Sequence, residues 1–471
     1  MNKTKLIVTI GPLSLNKDMI TRMIEAGVDV FRINLKHASR EFCLKAKRMI
    51  DRVNKELKTN VAIMFDTKGP QVKVGAFAGG EVHFEKDTKI RIYTENLLGD
   101  STKLYIDYKD LIDEINFDTI IKVHNSQVEF QVLDKDADYL LCVVKHGGIV
   151  KNYDSVSIVD TKLNLPCISK EDEEDILFAD ELNIDYVCIS NVSSAEDVLI
   201  GNDLLIKLGN NHMGLIAKIE NDRAISDIDN IINNSDGILI ARGDLGNEIP
   251  IERIPSVQKM ILEKCHECGK FGIVAIDMNA DDEEAIEPTR AEVSDVSNAV
   301  LEGVDAILLT GKTASGIYPV ETVFTINKIL DESEKELDYE LFIEKTLKSE
   351  AKDISSIIAH NVAVSALHLD CKVIYTPTNS GYTAKRISRF RPVCPIIAAS
   401  PYVDTVKSLQ LYYGVHPVLI KDLNSFDKVI ESAKKMSQDI LDLQLNDKYI
   451  ITGGYPFREV KHTNFMKIEE L

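Results

Sequence analysis

Leu215-Ile-Ala-Lys-Ile-Glu220 and Gly237-Ile-Leu-Ile-Ala-Arg242 decide the fold. Each is a short β-branched run that ends in charge, and each is followed by a helical stretch. Runs of this kind recur at Lys5–Ile10, Val28–Leu35, Val61–Asp66, Tyr186–Ser190, Gly272–Met278 and Ala306–Thr310. Buried strands alternating with amphipathic helices signal parallel βαβ units. Eight such units make a (β/α)8 TIM barrel, whose active site lies at the carboxyl ends of the strands. Arg32, Asn34, Asp66, Lys218, Glu220, Arg242, Asp244 and Asp277 all fall at those ends, while the strand middles are apolar.

Outward from these runs the repeat breaks once. Val82–Phe84, Lys89–Tyr93, Lys103–Tyr105, Thr119–Val123, Val128–Leu133 and Tyr139–Val144 are short strands separated by Gly, Asp and Asn. They predict a small β-barrel inserted after the third strand, where it would act as a lid over the rim. After about residue 345, Lys372–Thr376, Pro395–Ala399, His416–Leu419 and Lys448–Thr452 alternate with helices and predict a C-terminal open α/β domain. The expected boundaries are 1–68 with 165–345 for the barrel, 69–164 for the lid and 346–471 for the C-terminal domain.

The 471 residues carry 75 acids against 55 bases, a formal charge of −20. Such a surface repels phosphate backbones, so no nucleic-acid partner is expected. No apolar run reaches the length of a membrane helix, and the N-terminus reads as a strand rather than a signal peptide. A cytoplasmic protein without membrane contact is expected. The eight cysteines are scattered through apolar runs and read as reduced thiols, Cys265 and Cys268 included.

Lys218 and Glu220 lie two apart on one strand and share a face. Glu220 and Asp244 on neighbouring strand ends suit a hard divalent cation. A lysine beside them and Arg32 across the barrel suit an anionic substrate. This set fits phosphoryl transfer, where positioning and charge neutralisation carry the catalysis, and it also fits enolate stabilisation.

Six motifs then resemble the pyruvate kinase family, in order and along the whole chain. They are Thr9-Ile-Gly-Pro12, Phe31-Arg-Ile-Asn-Leu-Lys-His37, Asp66-Thr-Lys-Gly-Pro70, Ala217-Lys-Ile-Glu-Asn221, Ala241-Arg-Gly-Asp-Leu-Gly246 and Pro288-Thr-Arg-Ala-Glu-Val-Ser-Asp295. The resemblance implies phosphoryl transfer from phosphoenolpyruvate to ADP, giving pyruvate and ATP, in a homotetramer. It makes Lys218 and Arg32 catalytic, and Arg32, Lys218, Gly243 and Asp244 substrate-binding. Glu220 and Asp244 would hold Mg²⁺ or Mn²⁺. Asn34, Asp66 and Thr67 would hold a monovalent cation, and Asn34, His37 and Lys73 would contact the nucleotide. The loop Thr376-Pro-Thr-Asn-Ser-Gly-Tyr-Thr383 resembles the family's effector loop, with Thr378, Ser380 and Thr383 as contacts for a sugar phosphate.

Departures from the family pattern shape the expectations. Ile276 stands where the family has a threonine implicated in protonating the enolate, and alternation argues against Asp277 as its substitute. Lys36 replaces a serine at the monovalent-cation site, and Gln71 follows the Thr-Lys-Gly-Pro run, so weak or absent potassium dependence is expected. His124-Asn-Ser126, Tyr153-Asp-Ser-Val-Ser-Ile-Val-Asp160 and Thr310-Gly-Lys-Thr-Ala314 alter the nucleotide side. Two readings follow: an active enzyme of reduced rate, and a degenerate paralogue that binds metal and phosphoenolpyruvate as a sensor or regulatory subunit. A third reading, less favoured, is another metal–enolate reaction such as decarboxylation of a keto acid.

Overall fold

The computed structural model describes the chain except for residues 1, 71, 124–126, 159–162, 164, 211, 247, 279–286, 349–352, 422–427, 429–430, 433–434, 436–442 and 456–461. The chain divides into two compact units, one of Met1–Thr67 with Lys170–Leu471 and one of Lys68–Ser169.

In the first unit all eight expected strands form. They are β1 (Lys5–Thr9), β2 (Val30–Asn34), β3 (Ala62–Asp66), β4 (Tyr186–Val192), β5 (Gly214–Ile219), β6 (Gly237–Ile240), β7 (Phe271–Ile276) and β8 (Ala306–Leu309). They close a parallel barrel in sequential order, with β8 pairing β1. Their middles are buried on both faces, because one face fills the barrel and the other meets helices. The helices carry sequence-encoded starts. Thr289 and Glu292 form a capping box at the head of Arg290–Leu301, and Ser39 caps Arg40–Leu57.

The C-terminal domain is a five-stranded sheet in the order Val415–Leu419, Ile396–Ser400, Val373–Pro377, Lys448–Gly453, Phe465–Glu470. The first four coincide with the four expected runs and are parallel. The fifth is an antiparallel edge that the sequence reading missed. This domain belongs to the same compact unit as the barrel because they share a core. Phe271 of β7 meets Tyr412 edge-on, with ring centroids 5.2 Å apart, and the Tyr186 hydroxyl donates to the Lys407 carbonyl at 3.1 Å. Beside them Arg391, almost fully buried, reaches Asp305 at 3.1 Å and the His266 ring at 2.8 Å.

The second unit is a seven-stranded sheet with a two-stranded ribbon of Glu81–Phe84 and Gly148–Lys151. Its outermost strands, Val72–Lys73 and Lys103–Tyr105, are joined by a Val74–Ile106 bridge and by the Gly75 N–H on the Tyr105 carbonyl at 2.7 Å. The sheet therefore closes into the small barrel that was expected. Phe84 is buried edge-on against Phe130 within it.

All eight cysteines are unbridged, and seven are buried. Cys268 is exposed on its helix while Cys265 is buried. Among the described residues no helix is long and apolar enough to cross a membrane.

Candidate active site

The carboxyl ends of β2, β3, β4, β5 and β6 gather one charged network. Asp66, at the end of β3, is buried and takes the Arg32 guanidinium of β2 through Nε at 2.9 Å and through Nη2. Arg32 Nη1 donates to the Thr9 hydroxyl at 3.0 Å. Among the described residues three of the five guanidinium N–H groups have partners, and the other two can take a ligand. Lys218 Nζ stands 2.8 Å from Glu220, 3.9 Å from Asp66 and 4.0 Å from Asp244.

The charges set one another's protonation. Burial pushes Asp66 up, but Lys218 and Arg32 outweigh it and hold the carboxyl below its ordinary range. Burial pushes Lys218 down, but Asp66 and Glu220 outweigh it, so the ammonium stays charged. Glu220 is pushed up, first by burial and then by Asp244, against the pull of Lys218.

Glu220 and Asp244 lie within hydrogen-bond reach of each other, so two like charges share one spot. A divalent cation there would relieve both. Two carboxylates suit an ion that keeps several water or substrate oxygens. No group of three or more His, Cys, Asp or Glu side chains suited to a metal occurs among the described residues.

Residues to which the sequence reading gave no role hold this network. A register shift in β4 places Asn191 in a left-handed conformation (φ 57°), and its N–H donates to Glu220 at 2.5 Å. The Ser190 hydroxyl donates to the Thr67 carbonyl at 2.9 Å and lies 3.2 Å from Asp66. Arg242 grips Asp295 with both Nη atoms, at 2.6 and 2.5 Å, and sends Nε to the Ala275 carbonyl at 3.2 Å. That grip fixes the single turn Arg242–Leu245, which carries Gly243 and Asp244. Gly11 is required by close approach, since a β-carbon there would fall 2.1 Å from the Ala314 carbonyl. The Thr9-Ile-Gly-Pro12 motif is thus pressed against the segment after β8.

The monovalent-cation set is partly assembled. Asn34 and Asp66 are register partners on adjacent strands, and Thr67 follows directly. Lys36 is exposed, and its backbone N–H donates to the Asn34 side chain at 3.1 Å. Its ammonium forms no ion pair among the described residues, and Asp66 is balanced instead by Arg32 and Lys218. Partial burial, then Lys36 and Arg32, push the His37 pKa below its ordinary value. Lys73 lies on Val72–Lys73 of the inserted unit. Gln71, His124-Asn-Ser126, residues 159–160 and the Lys312 side chain lie outside the described residues.

In the C-terminal domain two of the three effector-loop hydroxyls are already engaged. Thr378 accepts from the Gly381 N–H at 2.9 Å, and Thr383 is buried against the Thr463 hydroxyl at 2.9 Å. Ser380 is exposed.

The pyruvate kinase barrel-domain model matches residues 1–323, and the pyruvate kinase alpha/beta-domain model matches residues 356–469. The chain belongs to the pyruvate kinase family. A pyruvate kinase of Clostridium acetobutylicum is 34% identical over 470 residues, covering 100% of this chain and 99% of the relative. One from Geobacillus stearothermophilus is 36% identical over 468 residues, 99% of this chain and 80% of the relative. The crystal structure of a Cryptosporidium parvum pyruvate kinase superposes with a TM-score of 0.92 at 30% identity, covering 100% of this chain and 96% of that one. Family membership accounts for the closed barrel and the α/β domain together.

Proposed function

We propose that the chain transfers the phosphoryl group of phosphoenolpyruvate to ADP, giving pyruvate and ATP. The observation that carries this reading is the Lys218 ammonium, held charged 2.8 Å from Glu220 with Arg32 anchored beside it on Asp66.

Each residue has a task that follows from its setting. Lys218 is a fixed positive charge at the position where the transferring group gathers negative charge, and it needs no reorganisation during the step. Arg32 offers its two remaining N–H groups to the phosphoryl oxygens, and Asp66 keeps its fork oriented. Gly243 and Asp244 seat the substrate carboxylate on a turn that Arg242 and Asp295 hold still. Glu220 and Asp244 would hold the divalent cation. When bound, a cation such as Mg²⁺ or Mn²⁺ supplies neutralising charge to the phosphoryl and enolate oxygens.

Asn34 and His37 are the proposed nucleotide contacts on the barrel, and Lys73 the one within the inserted unit. We also propose a homotetramer in the cytoplasm and a sugar-phosphate effector at Thr378, Ser380 and Thr383. No observation favours the degenerate-paralogue alternative.

Weak potassium dependence is the remaining proposal. It rests on the two built-in cations at Asp66 and on Lys36 beside Asn34. Equal turnover in potassium and in a tetraalkylammonium salt supports it, and a strong potassium requirement contradicts it.

Pyruvate formation from phosphoenolpyruvate tests the main reading. It should require both ADP and Mg²⁺ and release stoichiometric ATP. Pyruvate formed without ATP would sink the kinase reading.

A further inference from the structure

Strand β7 carries the departure from the family pattern, and its pairing with β8 fixes which way each side chain points. Ala275 pairs with Leu308, and Ile276 with Leu309. Ile273 and Leu308 belong to the barrel-filling core, and Ala275 packs against it. Alternation then sends Ile276 and Leu309 outward, where both are fully buried. The same alternation turns Asp277 inward with Thr310. The side chains agree: the Thr310 hydroxyl donates to Asp277 Oδ1. A β-carbon on Gly243 would stand 3.5 Å from Asp277 Oδ2. An open cleft of about 350 Å³ lies there, lined by Arg242, Gly243, Ala275, Asp277 and Asp295 together with Ile251, Ile254 and Pro255. This reverses the expectation drawn from the sequence. Ile276 is the residue turned away, and the carboxyl group faces the turn that seats the substrate.

We propose that Asp277 delivers the proton to C3 of the pyruvate enolate, with Thr310 as the positioning residue that orients its carboxyl. The inference rests on the reading that Gly243 and Asp244 seat the substrate carboxylate. C3 is separated from that carboxylate by a single carbon, so a group beside Gly243 reaches either. The other charges lining the cleft, Arg242 and Asp295, are paired with each other. Asp277 is exposed, so water reaches its carboxyl group.

The step balances as follows. The bridging P–O bond breaks toward ADP and leaves the enolate. The C2–C3 π electrons take the Asp277 proton and form the methyl C–H bond, while the C2–O bond becomes the ketone carbonyl. The O–H electron pair stays on Asp277 as carboxylate, and solvent reprotonates it for the next cycle.

Deuterium entry into the pyruvate methyl group tests this, followed by NMR in D₂O with enzyme, pyruvate, Mg²⁺ and ATP. Steady-state pyruvate formation and thermal melting are measured on the same samples. Asp277→Asn should slow exchange by about 10²–10⁴-fold, the usual worth of a positioned acid. Its KM for phosphoenolpyruvate should stay near the wild-type value. Asp277→Glu, which keeps the acid, should retain most of the exchange. Wild-type exchange in Asp277→Asn, or equal losses in the Asn and Glu variants, overturns the proposal and leaves phosphoryl transfer standing. A wild-type protein that forms no pyruvate overturns the functional reading and this inference with it.

Discussion

Breaking the Arg242–Asp295 grip should disable the substrate turn without touching the charged network. Both Nη atoms of Arg242 hold Asp295, and Nε holds the Ala275 carbonyl, so one side chain ties the end of β6 to β7 and to the helix Arg290–Leu301. A bidentate charge-assisted pair is worth roughly 1.5–3 kcal/mol. The Asp295 side chain is 37% exposed, so solvent screening reduces that to about 1–2 kcal/mol. If the loss falls on the order of Gly243 and Asp244, kcat/KM for phosphoenolpyruvate drops roughly 5- to 30-fold. Arg242→Met, Asp295→Leu and the double variant form a thermodynamic cycle, read by steady-state kinetics. The singles should each lose that factor, chiefly through KM. The double should lose little more, giving a coupling of about 1–2 kcal/mol. Additive losses would refute the reasoning, because they would mean that the two side chains act separately.

Two further outcomes follow from burial. Ile276→Thr puts a hydroxyl into the apolar layer behind β7, so it should lower stability by about 1–3 kcal/mol in urea unfolding and leave turnover no faster. A gain in turnover would contradict the outward direction of that side chain. His266 is buried beside Arg391, and burial, then Arg391, push its pKa well below the ordinary 6.5. A base with a depressed folded-state pKa stabilises the fold above 6.5, and that contribution is lost as pH falls below it. Relative to His266→Gln, the wild-type protein should therefore lose stability as pH falls below 6.5, at a slope that approaches about 1.4 kcal/mol per pH unit. Parallel stability curves for the two proteins would rule this out.

The barrel was legible because its evidence is repetitive. Eight apolar runs ending in polar residues leave few alternatives, and the rim residues Arg32, Asp66, Lys218, Glu220 and Asp244 follow from their places at strand ends. Three things were not legible, each for a physical reason. The Arg242–Asp295 pair spans 53 residues, so no local pattern announces it. The Phe465–Glu470 strand is polar and half exposed, and so lacks the apolar run that marks its neighbours. The direction of Asp277 was misjudged because Phe271–Ile276 is apolar on both faces. Alternation says that neighbours oppose each other, but a strand buried on both sides does not say which one faces inward. Only the register with Leu308 and Leu309 supplies that.

The central claim is that Lys218 stabilises a phosphoryl group on its way to ADP. The direct test follows phosphoenolpyruvate and ADP by phosphorus NMR in the presence of Mg²⁺, for the wild-type protein and for Lys218→Met. The account predicts conversion to ATP by the wild type and a loss of about 10²–10³-fold or more in kcat for the variant, with the fold intact. ATP formation at the same rate in both proteins would contradict it.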